Sequence, residues 1–162
     1  DWLMNQLGEF DGCAFQDVGK GQLDLGDLED EADKKALEEL EKNSADLLER
    51  VRKALGERVE TVRATNRLTD SPACVVVSEQ DMGAQMRRIL EEAGQAVPDS
   101  KPILELNTEH PLVQRLDREA DEDRFADISE ILLDQAQLAE GGHLESPALF
   151  VQKLNKLLLD LV

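Results

Sequence analysis

The stretch from Asp121 to the C-terminus constrains this chain more than any other. DEDRFADISEILLDQAQLAE places Phe125, Ile128, Leu132, Ala136 and Ala139 at helical spacing, and Ile131, Leu133 and Leu138 widen that face. Gly141 stands where a helix should stop, because glycine enters the left-handed region without a Cβ clash. Ser146 suits an N-cap, and Pro147 suits the first helical position, where its missing N–H has no partner to lose. In the segment that follows, Phe150, Leu154, Leu157, Leu158 and Leu161 share a face, flanked by Val151 and Val162. The result is a helical hairpin with more apolar surface than two helices can hide from water between them. Either the rest of the domain covers the excess or a second copy does. A second copy is the preferred reading. It makes the hairpin half of a four-helix dimer interface, with Phe125, Ile128, Leu132, Phe150, Leu154, Leu157, Leu158 and Leu161 at its centre.

Composition narrows the partners. The net charge is −18, which argues against a phosphate-backbone ligand and against an anionic bilayer surface. Aromatic residues make up only 3% of the chain, so the core must be built from Leu, Val, Ile and Ala. No apolar run is long enough to span a membrane. Cys13 and Cys74 lack a CxxC spacing and read as reduced thiols of a cytoplasmic protein. The abrupt start at Asp1 reads as the edge of a fragment.

Before the hairpin the pattern is mixed. Asp1–Phe10 can form a short helix ended by Gly12, and Ala14–Val18 a short strand. The Gly- and Asp-rich stretch between Lys20 and Asp30 has the composition of a linker, which divides the chain into residues 1–28 and 29–162. Leu37, Leu40, Leu47, Leu48, Val51 and Leu55 predict helix, interrupted at Asn43-Ser44 as two helices meeting at a kink with Ser44 capping the second, and closed by Gly56. Three strands are expected: Arg58–Thr65, which alternates; Cys74–Ser78, apolar on consecutive residues; and Ile103–Asn107. A helix over Asp81–Ala93, closed by Gly94, lies between the second and third. A short helix capped by Asn107 or Thr108 runs through Leu116. The fold class is α+β: a small three-stranded sheet flanked by helices, followed by the C-terminal hairpin.

No catalytic constellation stands out. His110 and His143 are far apart in sequence and lack neighbouring thiols, whereas a zinc site needs about four closely spaced ligands. There is no glycine-rich phosphate loop, and Gly141-Gly142 ends a helix rather than opening one. An enzyme is therefore the weaker reading, and no metal or nucleic acid is expected. The helix over Asp81–Ala93 carries Met82, Met86, Ile89, Leu90 and Ala93 on one face. By periodicity alone, this face is either core packed on the sheet or an adhesive surface of flexible, polarisable side chains.

The segments RLTDSPACVV (67–76), MGAQMRRILEEAGQ (82–95), KPILELNTEHPLV (101–113) and LLDQAQLAEGGHLESPALFVQKLN (132–155) resemble the C-terminal domain of the bacterial ninety-kilodalton heat-shock chaperones, the HtpG family. DWLMNQLGEFDG resembles the end of their preceding middle domain, which assigns residues 1–28 to that end and its linker. The resemblance implies a homodimerisation module of an ATP-dependent chaperone, acting on partly unfolded client proteins in the cytoplasm. ATP and magnesium would belong to a nucleotide domain outside this chain, so neither a cofactor nor ATP hydrolysis is expected of these residues. It also implies that the helix matching Met82–Leu90 faces the cleft between protomers and touches clients. Met82 and Met86 match as methionines and Ile89 as an aliphatic residue, whereas Leu90 stands where a relative carries an aromatic. Trp2 and Asn5 match client-contacting positions of the middle domain. The alternative is a purely structural dimer handle with the methionine helix buried.

Overall fold

The computed structural model describes residues 9–15, 31–76, 89–90, 93–94 and 101–159. Among them the chain forms a two-stranded hairpin, then five α-helices and a three-stranded mixed sheet. The hairpin pairs β1 (Glu9–Phe10) with β2 (Cys13–Ala14), Glu9 opposite Ala14 and Phe10 opposite Cys13. This corrects the expected helix at Glu9 and Phe10. The reason lies in the Asp11-Gly12 pair, whose φ values of 52° and 79° are both positive. Asp-Gly is a strong signal for the tight turn whose twist matches that of paired strands.

Helices α1 (Glu31–Asn43) and α2 (Ala45–Leu55) meet at Ser44, where a break was expected. The Ser44 carbonyl accepts from the Leu48 N–H, but its side chain makes no capping bond. The join is a backbone kink rather than a serine cap. Leu47, Leu48, Val51 and Leu55 form the buried stripe of α2. Gly56, at φ 54°, ends it and opens a 3-10 turn over Gly56–Arg58. That turn takes Arg58 from the expected strand, and the regular strand β3 is only Val62–Ala64. The backbone still pairs beyond its ends: Glu60 N–H donates to the Pro102 carbonyl and Thr65 N–H to the Leu106 carbonyl.

β4 (Ala73–Val76) and β5 (Ile103–Leu106) complete the sheet, in the order β3-β5-β4. β3 runs parallel to β5 and β4 antiparallel to it. The register puts Val62, Leu104 and Val75 in one row and Ala64, Leu106 and Ala73 in another. These rows face the helices and join one core with Val51, Val113, Leu116, Phe125 and Leu133. Side chains alternate across a strand, so the row Arg63, Glu105 and Cys74 faces the other way. Glu105 is buried, and its carboxylate is satisfied from two sides. Arg63 donates to Oε1 at 2.6 and 2.8 Å, and Arg67 lies 2.6 Å from Oε2. A buried charge persists only when paired in this way. Cys74 lies 3.6 Å from the same carboxylate. Burial, helped by Glu105 and opposed by Arg67, pushes its thiol up to about 11. At neutral pH Cys74 is a thiol rather than a nucleophilic thiolate.

Asn107, also buried, ties the end of β5 to the loop before β4. Its N–H donates to the Pro72 carbonyl, its Nδ2 to the Leu68 carbonyl, and its Oδ1 accepts from Glu109 N–H. The next helix, α3 (Pro111–Asp117), is capped by His110, whose Nδ1 accepts from Leu112 N–H at 3.1 Å. Asn107 therefore shapes the turn, and the cap belongs to His110 rather than to Asn107 or Thr108.

Candidate functional site: the outer face of the C-terminal hairpin

Helix α4 (Glu122–Ala139) is the spine of the domain. Asp121 caps it, accepting from Arg124 N–H at 2.9 Å. It packs on β4, α2 and α3, and contributes Phe125, Ile131, Leu132, Leu133 and Ala136 as buried apolar side chains. Arg50 of α2 stacks over the Phe125 ring, 3.8 Å from its centroid, while its guanidinium donates to the Glu119 carbonyl and to Glu122. The Gly-Gly pair then turns the chain for two different reasons. Gly141 adopts φ 77°, as expected for a helix end. Gly142 needs to be glycine because a Cβ there would lie 2.9 Å from the Gln137 carbonyl oxygen.

Helix α5 (Pro147–Leu159) returns along α4, with the Ser146 carbonyl accepting from the N–H groups of Leu149 and Phe150. Lys153 reaches Glu130 at 2.5 Å and Asp127 at 3.5 Å, and Lys156 reaches Asp127 at 2.7 Å. The hydrogen bond and charge of Asp127 hold the Lys156 ammonium above its ordinary pKa. Phe150, Leu154 and Leu157 are half-buried, and α5 contributes no buried residue at all.

The expected interface residues thus divide into three groups. Phe125 and Leu132 are 1% and 3% exposed inside the single chain. They belong to the domain's own core and leave no surface for another molecule. Ile128 is half-buried beside that core. Phe150, Leu154 and Leu157 form a half-covered row, and Leu158 is 50% exposed. Leu161 lies outside the described residues. Leu149, Leu159 and Leu138, at 53%, 75% and 45% exposed, extend the open apolar surface, and Val151, at 51%, is a member rather than a flank. Periodicity passed over Leu149 and Leu159 because it selects the densest row of a helix, and on α5 that row is the one α4 half covers. A helix apolar on several faces signals cover from several sides.

Of the expected client-binding residues, Trp2, Asn5, Met82 and Met86 lie outside the described residues. Ile89 is 59% exposed and Leu90 half-buried. Ala93 N–H donates to the Ile89 carbonyl at 3.0 Å, a helical bond, and Gly94 follows at φ 70°, where the helix end was expected. Among the described residues no cluster of three or more Cys, His, Asp or Glu could hold a metal, and no helix is long and apolar enough to cross a membrane. In a comparison with known protein families, residues 1–162 match the one described as Hsp90 protein. The match runs the length of the chain, and the chain belongs to the Hsp90 family of molecular chaperones.

Proposed function

We propose that this chain is the homodimerisation module of a chaperone of the bacterial HtpG branch: residues 29–162 as its C-terminal domain, residues 1–28 as the end of the middle domain with its linker. The observation that carries this is α5. It is rich in leucine, buries no residue within the chain, and leaves Leu149, Val151, Leu158 and Leu159 at least half exposed. Large apolar side chains left open on several sides of one helix mark an interaction site, and a helical hairpin that is half of a bundle needs its other half. The hairpin of a second copy, related by a two-fold axis, supplies it. Light scattering after gel filtration tests this. A mass of twice 18.1 kDa is expected at micromolar concentration, and a single-chain mass there would overturn the proposal. Each copy carries −18, so the dimer should tighten as salt screens their repulsion.

The same chaperone would bind partly unfolded clients through Met82, Met86, Ile89 and Leu90, joined by Trp2 and Asn5. The exposure of Ile89 supports this reading over a purely structural handle. Changing Met82 and Met86 to Ser should leave the melting temperature and the dimer nearly unchanged and weaken capture of an unfolded client. If the face were core, the same pair should cost several kcal/mol, in the range of about 2–5 per large core truncation. ATP and magnesium would act in a separate nucleotide domain of such a cytoplasmic chaperone, and the 162-residue chain itself would turn over no ATP.

A further inference from the structure

α5 buries no residue, yet it is held in a defined register on α4. Apolar contact does not explain the register, because Phe150, Leu154 and Leu157 are only half covered. The charges do. Lys153 stands opposite Glu130 and Lys156 opposite Asp127, a step of three residues along each helix in opposite senses, as an antiparallel pair requires. Lys153 also reaches Asp127, so one ammonium bridges two carboxylates a turn apart on α4. The same Glu130 oxygen, Oε2, that meets Lys153 lies 3.5 Å from Arg58, and Arg58 reaches Asp134 at 2.5 Å. These six side chains form one ion network from the 3-10 turn before β3, across α4, to α5.

Isolated surface ion pairs contribute little, but networks of partly buried ones contribute more. Side chains of Lys153, Asp127 and Asp134 are 20%, 15% and 10% exposed, so water screens them only in part. We infer that this network is a charge latch that docks α5 on α4 and fixes which apolar side chains the helix offers outward, with Lys153 as its bolt. Opening the latch releases α5 as a unit and uncovers Phe150, Leu154 and Leu157, while the sheet and α2 stay folded. The latch acts within one chain, so it stands whether or not a second copy binds α5.

Hydrogen exchange read by mass spectrometry on the whole chain tests it, at a dilution where light scattering gives the single-chain mass. Lys153→Met keeps the apolar stem and removes the charge. It should speed exchange of the α5 amides about tenfold, equivalent to about 1.4 kcal/mol of lost docking, and leave those of α2 and α4, which open separately, at the parental rate. Lys153→Arg, which keeps the charge, should protect α5 as the parent does. Unchanged α5 exchange in Lys153→Met would overturn the latch and assign docking to the apolar row. Equal acceleration in α2, α4 and α5 would overturn it as well, making Lys153 a contributor to global stability instead. A chain found monomeric at every concentration would defeat the dimer proposal and leave this test intact.

Discussion

Replacing Val151 and Leu158 together by Asp should turn the dimer into monomers without unfolding them. The two residues are a heptad apart on α5 and half exposed in the single chain, so the monomer loses no core contact. In a dimer closed by α5, four carboxylates would be carried into an apolar centre. Burying an unpaired charge is costly enough that a loss of at least about 4 kcal/mol is expected. That corresponds to a dissociation constant weakened by roughly a thousandfold. Sedimentation equilibrium gives the constant, and thermal melting gives the stability of what remains. A double variant as dimeric as its parent would place the interface on another face. A variant that no longer melts cooperatively would show that α5 is part of the core after all.

Phe125→Ala should cost the single chain far more stability than any truncation on the outer face of the hairpin. The ring is 1% exposed, and Arg50 packs on it while holding the Glu119 carbonyl and Glu122. Losing such a side chain from a core costs about 3–5 kcal/mol, and the lost stacking of the cation adds about 0.5–1 kcal/mol. Against a net stability of about 5–15 kcal/mol, a large share of the folded state's margin would go. Leu159→Ala, at 75% exposure, should stay within about 0.5 kcal/mol in the monomer. Urea titrations at two protein concentrations separate core from interface. The Phe125→Ala loss should be the same above and below the dimerisation range, since the ring is buried inside one chain. A loss that vanishes in the dilute sample would return Phe125 to the interface.

The sequence made several helix ends legible because they carry their own local stop signals. Gly56, Gly94 and Gly141 all take positive φ at the ends where they were expected, and the break at Ser44 falls where Asn43-Ser44 interrupts the leucine spacing. The strands were legible as elements, but the start of the first was not, because the turn at Gly56–Arg58 takes Arg58 into tertiary pairing. Arg58 reaches across to Glu130 and Asp134 on α4, far along the chain. Glu105 shows the same limit. Read along the chain it is one acid among many. Only the register that sets it between Arg63 and Cys74 makes it a buried hub. The hairpin surface was half legible for a related reason. Spacing identifies a helix's apolar residues, but which of them the domain itself consumes is decided by packing. Phe125 and Leu132 were consumed by the core, whereas Leu149 and Leu159 were left over.

The strand order β3-β5-β4 has a consequence for how the chain is born. The central strand is the last of the three to be synthesised, and both neighbours hydrogen-bond to it rather than to each other. When Ala64 leaves the ribosome, β3 has no partner, and β4 follows into the same condition. At about 5–20 residues per second, the wait from Ala64 to Leu106 lasts roughly 2–8 s. During that interval two short strands present open backbone edges, the condition in which strands pair with other chains. Their brevity, three and four residues, limits how well a stray edge can grip them. A protein whose family guards others against misassembly thus passes through an interval when its own sheet waits, unzipped, for the strand that closes it.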